Sequence, residues 1–322
     1  MGKGVEAENM SVRAIKVRKK ILSNEDKDTL SGIAIVGLAF NLNGRWDEAK
    51  ELEVQVMETR KTKLGVDHPS TLTSMANLAS TYRNQGRWDD TEKLDMQVME
   101  TSKTKLGVDH PDTLTKTRKT KLEVDHPDTL TSIANLASTY RNQGRWDNAE
   151  MLDVQVMETS KTKLGVDHPS TLASMANIAS TYRNRGRWDD AEKLEVQVIK
   201  TSKTKLGVDH PFTLTSIANM ASTYRNRGRW DNTEKLLVQV IETRKTKLGV
   251  DHPSTLTSMN NLAFTWKENG KETEAVRLIE DCVRGRKRVL RANHPYFISS
   301  CTALDTWKAE QEDIILSNRR PN

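Results

Sequence analysis

The pair His-Pro recurs along this chain at an interval that leaves few folds open. It stands at 68, 110, 126, 168, 210, 252 and 294, and all but one of the steps within 68–294 are 42 residues long. Asp26 and Lys27 fill the same slot one period earlier. The intervening residues are nearly verbatim copies, as in "HPSTLTSMANLASTYRNQGRWDDTEKLDMQVMETSKTKLGVD" over 68–109. A chain copied at this length folds as an array of like units, each packed on its neighbours. The expected division is repeats at 26–67, 68–109, 126–167, 168–209, 210–251 and a divergent 252–293. A 16-residue partial unit at 110–125 interrupts them, as a looped-out insertion or a hinge between two stacks. Residues 1–25 align with the second half of a repeat and are expected to form an orphan helix from a truncated preceding unit. Residues 294–322 are expected to form a capping helix and tail.

Within one unit the apolar spacing is helical. Leu72, Met75, Ala79 and Tyr82, with Leu78 beside them, draw one stripe along a helix over about 69–84, here called helix A. Pro69 suits the first turn of that helix, with Asp67 or His68 as its cap. Gly86 in "NQGRW" supplies the left-handed turn that ends it. Thr91, Leu94, Val98 and Leu106 mark helix B over about 89–105, whose basic end favours the negative pole of its dipole. A lone pair of helices cannot bury its apolar face, and stacking solves this. The predicted fold is all-α, a right-handed α-solenoid of antiparallel helix pairs with a 42-residue repeat and helices A on the concave wall.

These residues carry a family resemblance. Met75-x2-Leu78-Ala79-x2-Tyr82, then Gly86 and Thr91, resembles the tetratricopeptide pattern, with Met in the Trp position and Ala for the first Gly. The pattern's later Phe is replaced by Glu53, Asp95, Asp153, Glu195 and Leu237, so Leu94 and its equivalents are expected to take over that packing. The 42-residue length, "NLA", "GRWDDAE" and "LGVDHP" resemble the kinesin light chain type of repeat, also found in the C-terminal sensor arrays of fungal NLR-like proteins.

Catalysis is not expected. All seven histidines belong to the inter-repeat His-Pro, so copies sit on successive loops instead of converging on one site. Neither Cys282 nor Cys301 has a metal-ligand partner at short spacing, and the sequence contains no phosphate-binding Gly-rich loop. No cofactor or metal is implied. With 35% hydrophobic and 29% charged residues and no signal-peptide core, the chain reads as a cytoplasmic protein without membrane spans.

The remaining chemistry lies on the polar side of helix A. An asparagine recurs as Asn77, Asn135, Asn177, Asn219 and Asn261, and a cation as Arg83, Arg141, Arg183, Arg225 and Lys267. An amide carries both a donor and an acceptor, so a row of amides can clamp an extended peptide backbone whatever its sequence. The resemblance implies that role for the asparagines. The cation row would favour an acidic peptide. The expected partner is therefore a protein or an acidic peptide, held by a non-catalytic interaction module. Two other roles stand beside it: a structural scaffold that self-associates through its N-terminal end, or the detached sensor array of an NLR-like signalling protein. In repeat 1 the same positions hold Ile35, Leu38 and Leu42, an apolar stripe of the kind that marks a contact. The tryptophans of "GRW" are expected to pack between helices, and "RGRKRVLR" at 284–291 to be a solvated helix end in preference to a nucleic-acid site.

Overall fold

The computed structural model describes residues 26–106 and 126–318, together with Arg13. The expected orphan helix before residue 26 and the partial unit at 110–125 lie outside the described residues. Thirteen α-helices and no strands occur among the described residues. They are α1 (Lys27–Leu42), α2 (Trp46–Leu64), α3 (Pro69–Asn84), α4 (Trp88–Leu106), α5 (Pro127–Asn142), α6 (Trp146–Leu164) and α7 (Pro169–Asn184). Then follow α8 (Trp188–Lys205), α9 (Pro211–Asn226), α10 (Trp230–Leu248), α11 (Pro253–Glu268), α12 (Glu272–Val289) and α13 (Pro295–Asn318). Odd numbers up to α11 are helices A, and even numbers are helices B. Two compact units divide the chain, one within Ala7–Lys205 and one within Leu206–Asn322.

The boundaries follow from local chemistry. His68 Nδ1 accepts from the Ser70 N–H at 3.1 Å, and the histidines at 126, 168, 210 and 252 cap their helices in the same way. Pro at N1 costs no hydrogen bond there. Gly86, with φ +73°, takes the left-handed conformation, and the Arg87 N–H reaches back to Tyr82 O at 2.9 Å. That turn also lays the Arg87 guanidinium over the Tyr82 ring, 4.1 Å from its centroid, a cation–π contact repeated in every "GRW" turn of the described residues.

In the first unit each helix packs on the next from α1 to α8, and α1 also packs on α3 and α5 on α7. The pair α4 and α5 belongs to this series although 110–125 separates them in sequence. Met57, Met75, Leu78 and Val98 close one layer of core, with Leu72, Tyr82 and Leu94 at its edge. Leu130, Ile133, Leu136, Val156 and their neighbours close the next. In the second unit, α9 to α12 pack in order and α13 covers α12. Its core runs from Ala221 through Leu237, Leu256 and Ile279 to Trp307, whose ring meets Phe264 edge-on.

One expectation needs correcting. The "GRW" tryptophans at 46, 88, 146, 188 and 230 are none of them buried, and Trp146 and Trp188 are exposed, because Tyr and Arg fill the turn instead. Leu94 packs against its core layer and Leu152 is buried in the next, as expected, and Asp95, at the position where the family pattern has Phe, is buried beside them.

Candidate functional site

The helix A face carries both residue rows singled out above, and the structure treats them differently. Asn77, Asn135, Asn177, Asn219 and Asn261 all lie half-buried in the third turn of their helices. The side-chain amides of Asn77, Asn135, Asn177 and Asn261 make no hydrogen bond to the described residues, so their donors and acceptors are available. Asn77, Asn135 and Asn177 belong to consecutive hairpins of the first unit, and Asn219 and Asn261 to the second.

The cations, by contrast, are already engaged. Arg83 donates to Asp95 Oδ2 at 3.0 Å, Arg141 to Asp153 Oδ2 at 3.2 Å, and Arg183 to Glu195 Oε1 at 3.2 Å. These three arginine side chains are only 21%, 13% and 15% exposed, and their carboxylates 2%, 1% and 3%. The carboxylate comes from helix B of the same hairpin, at the position that lacks the family's Phe. In two of these sites it also ties in the next repeat. Thr139 Oγ1 donates to Asp95 Oδ2 at 2.8 Å, and Thr181 Oγ1 to Asp153 Oδ2 at 2.8 Å. Burial pushes both carboxyls above their ordinary range, against the pull of the hydroxyl and the guanidinium. Arg225 pairs with Glu268 on the surface, since Leu237 leaves it no buried acid, and Lys267 pairs with Glu272 and Glu310. The cation row expected to favour an acidic peptide is thus engaged in ion pairs within the chain, three of them part-buried inter-helix locks on buried carboxylates.

Repeat 1 departs from this pattern. Asn41 stands where Arg83 stands in repeat 2, and its Nδ2 donates to Thr81 Oγ1 at 2.6 Å. Glu53, equivalent to Asp95, is 2% exposed, and neither of its carboxylate oxygens has a hydrogen-bond partner among the described residues. Burial raises its pKa, and the nearby Thr81 hydroxyl offsets part of that. On the same helix as Asn41, Ile35, Leu38 and Leu42 are exposed by 57%, 39% and 80%.

The basic run at 284–291 is likewise committed. Arg284 pairs with Asp281 and Arg288 with Asp251, while Arg286 is buried against the Tyr296 carbonyl and the Ser300 hydroxyl. Among the described residues no group of three His, Cys, Asp or Glu could hold a metal ion, and no helix is long and apolar enough to cross a membrane.

Comparison with known families agrees with this helix-pair geometry. Residues 34–70, 71–112, 213–254 and 255–296 match one model of the tetratricopeptide repeat, which alone takes in half of the chain, and residues 125–204 match a second. The chain is a tetratricopeptide repeat protein. Its repeats are kinesin light chain-like. They resemble two crystal structures of nearly identical TPR-like repeats assigned to a Podosopora anserina putative kinesin light chain. One of them, a single-substitution form, is 27% identical, covers 70% of this chain and 99% of its own, and has a TM-score of 0.53. The other is 28% identical, covers 67% and 95%, and has a TM-score of 0.51. NprR in complex with its cognate peptide NprX shares the fold at 13% identity, over 100% of this chain and 90% of that one, with a TM-score of 0.59. No curated protein matches the chain. As a tetratricopeptide repeat protein, it is built as a protein-interaction scaffold.

Proposed function

We propose that this tetratricopeptide repeat protein is a non-catalytic, cytoplasmic module that holds an extended peptide segment of another protein along its helix A faces. The observation that carries this reading is the row of half-buried asparagine amides, four of which make no hydrogen bond to the described residues. A row of donor–acceptor pairs at one helix position suits a peptide backbone, whose N–H and C=O groups also alternate. NprR, of the same fold, was solved with a peptide bound, which adds support. An acidic ligand would draw on the cations, but each is already paired with a carboxylate of this chain. Charge selection therefore ranks below backbone capture.

The test is a peptide selected by display against the full chain, measured against Asn77→Ala, Asn135→Ala and Asn177→Ala, singly and together. Each substitution should weaken binding by about 1 kcal/mol while the thermal midpoint stays put. Undiminished affinity in the triple variant overturns the reading.

A second reading, self-association, rests on the exposed Ile35, Leu38 and Leu42 of α1. Sedimentation at rising concentration tests it: a strictly monomeric chain excludes it, and Leu38→Lys should dissolve any assembly it explains.

A further inference from the structure

Helix B of three repeats ends in an arginine, buried at 244 and 286 and half-buried at 60, that staples it to the next helix A. Arg60 donates to the Ser70 carbonyl at 3.1 Å and to Ser74 Oγ at 2.8 Å. Arg244 repeats this on the Ser254 carbonyl at 3.0 Å and Ser258 Oγ at 2.7 Å, and adds Thr215 Oγ1 at 3.1 Å. Arg286 does the same on the Tyr296 carbonyl and the Ser300 hydroxyl, with Asn260 Oδ1 as its third acceptor.

Repeat 2 carries Ser102 at this position. The acceptors equivalent to those of Arg244 are then the Asp128 carbonyl, Ser132 Oγ and Thr73 Oγ1. All three residues, with Ser102 itself, line one cavity of about 490 Å³. At the junction before it, where Arg60 is present, the equivalent cavity is about 210 Å³. The opening beside Ser102 is thus more than twice as large as the one beside Arg60, and of the size that takes small ligand groups. Its apolar lining, from Leu64, Leu72, Ala76 and Val98, suits an alkyl stem. Asp128 lines its rim where the sibling staples have serine or tyrosine, and its largely exposed carboxylate, 3.9 Å from His126 Nδ1, puts a negative charge beside the opening. Ser160 and Ser202 also replace the arginine in repeats 3 and 4.

We propose that this cavity between α3, α4 and α5 is a binding site for an arginine side chain of a partner protein, which supplies in trans the guanidinium that Arg60, Arg244 and Arg286 supply in cis. The planar fork of a guanidinium meets a carbonyl, a hydroxyl and a carboxylate together. A lysine ammonium is a point charge and does not match that set. Asn135 alone is shared with the amide row, so the two readings can fail separately.

The test is a ligand-observed NMR titration of the full chain with Nα-acetyl-arginine amide, using the lysine and norleucine amides as controls. Wild type should bind the arginine compound saturably and about tenfold more tightly than the lysine compound. Ser102→Arg, which restores the sibling residue, should abolish the binding and raise the thermal midpoint. Asp128→Ser, the residue of repeats 2, 4 and 6, should fold normally and weaken binding severalfold. Equal affinity for all three amides, or unchanged binding by S102R, overturns the site. Arg118 is the one arginine of segment 107–125. If saturable binding appears only in Arg118→Ala, the guanidinium comes from this chain, and the assignment to a partner is overturned.

Discussion

Arg83 on α3 and Asp95 on α4 meet at 3.0 Å, and the same Asp95 oxygen accepts from the Thr139 hydroxyl of the following repeat at 2.8 Å. One carboxylate therefore holds three helices, two of one hairpin and one of the next. Removing its cation leaves a buried charge with no counter-ion. Arg83→Ala should cost about 2–3 kcal/mol, most of it the penalty of stranding Asp95. Arg225→Ala breaks a surface pair with Glu268 and should cost about 1 kcal/mol or less. Urea denaturation followed by circular dichroism compares the two, and equal losses would refute the lock.

Glu53 is the same carboxylate without its arginine. Its pKa in the folded chain is raised, so folding favours the protonated form. Its contribution to stability is therefore full below the unfolded-state pKa and is lost as pH rises through the folded value. Glu53→Gln should therefore stabilise the chain at pH 7, by about 1–2 kcal/mol, and leave it unchanged near pH 3. A destabilising effect at pH 7 would show that Glu53 is paired after all.

Gly285, inside α12, lies against α11. A Cβ there would stand 2.5 Å from Leu256 Cδ2, and Leu256 is buried. Helix propensity alone would make Gly285→Ala stabilising by about 1 kcal/mol. The overlap should outweigh it, for a net loss of about 1–2 kcal/mol. Adding Leu256→Ala should then cost less than it does in the wild-type background, which a double-mutant cycle reads directly.

The repeated histidines are predicted to act as caps. His168→Ala removes the acceptor for the Ser170 N–H and should cost about 1 kcal/mol, while His168→Asn or His168→Asp should restore most of it. Thermal melts of the three variants distinguish capping from any role in binding, because a binding role would not be rescued by asparagine and aspartate alike.

The helices were legible from sequence because their causes are local. The stripe Leu72, Met75, Leu78, Ala79 faces inward as its spacing implies, His68 caps, and Gly86 ends the helix. That the asparagines share one helix position, half-buried in each copy, was legible for the same reason, while their role in binding is a proposal. The fate of the cations was not. Arg83 and Asp95 are 12 residues apart, and their pairing depends on two helices of a hairpin lying antiparallel. Acid at the family's Phe position, together with arginine at the end of helix A, was the signal that could have disclosed it. The Ser102 cavity was hidden likewise, since it exists only where α4 meets a helix beyond residue 125.

By itself, then, the sequence determined the repeat, its helices and their caps, because hydrophobic spacing, proline, glycine and histidine act within a few residues of themselves. Only the tertiary structure decided which charges face solvent and which are spent inside. That choice rests on distances between helices, and at about 3 Å in a water-poor junction a carboxylate claims the nearest guanidinium before any ligand can.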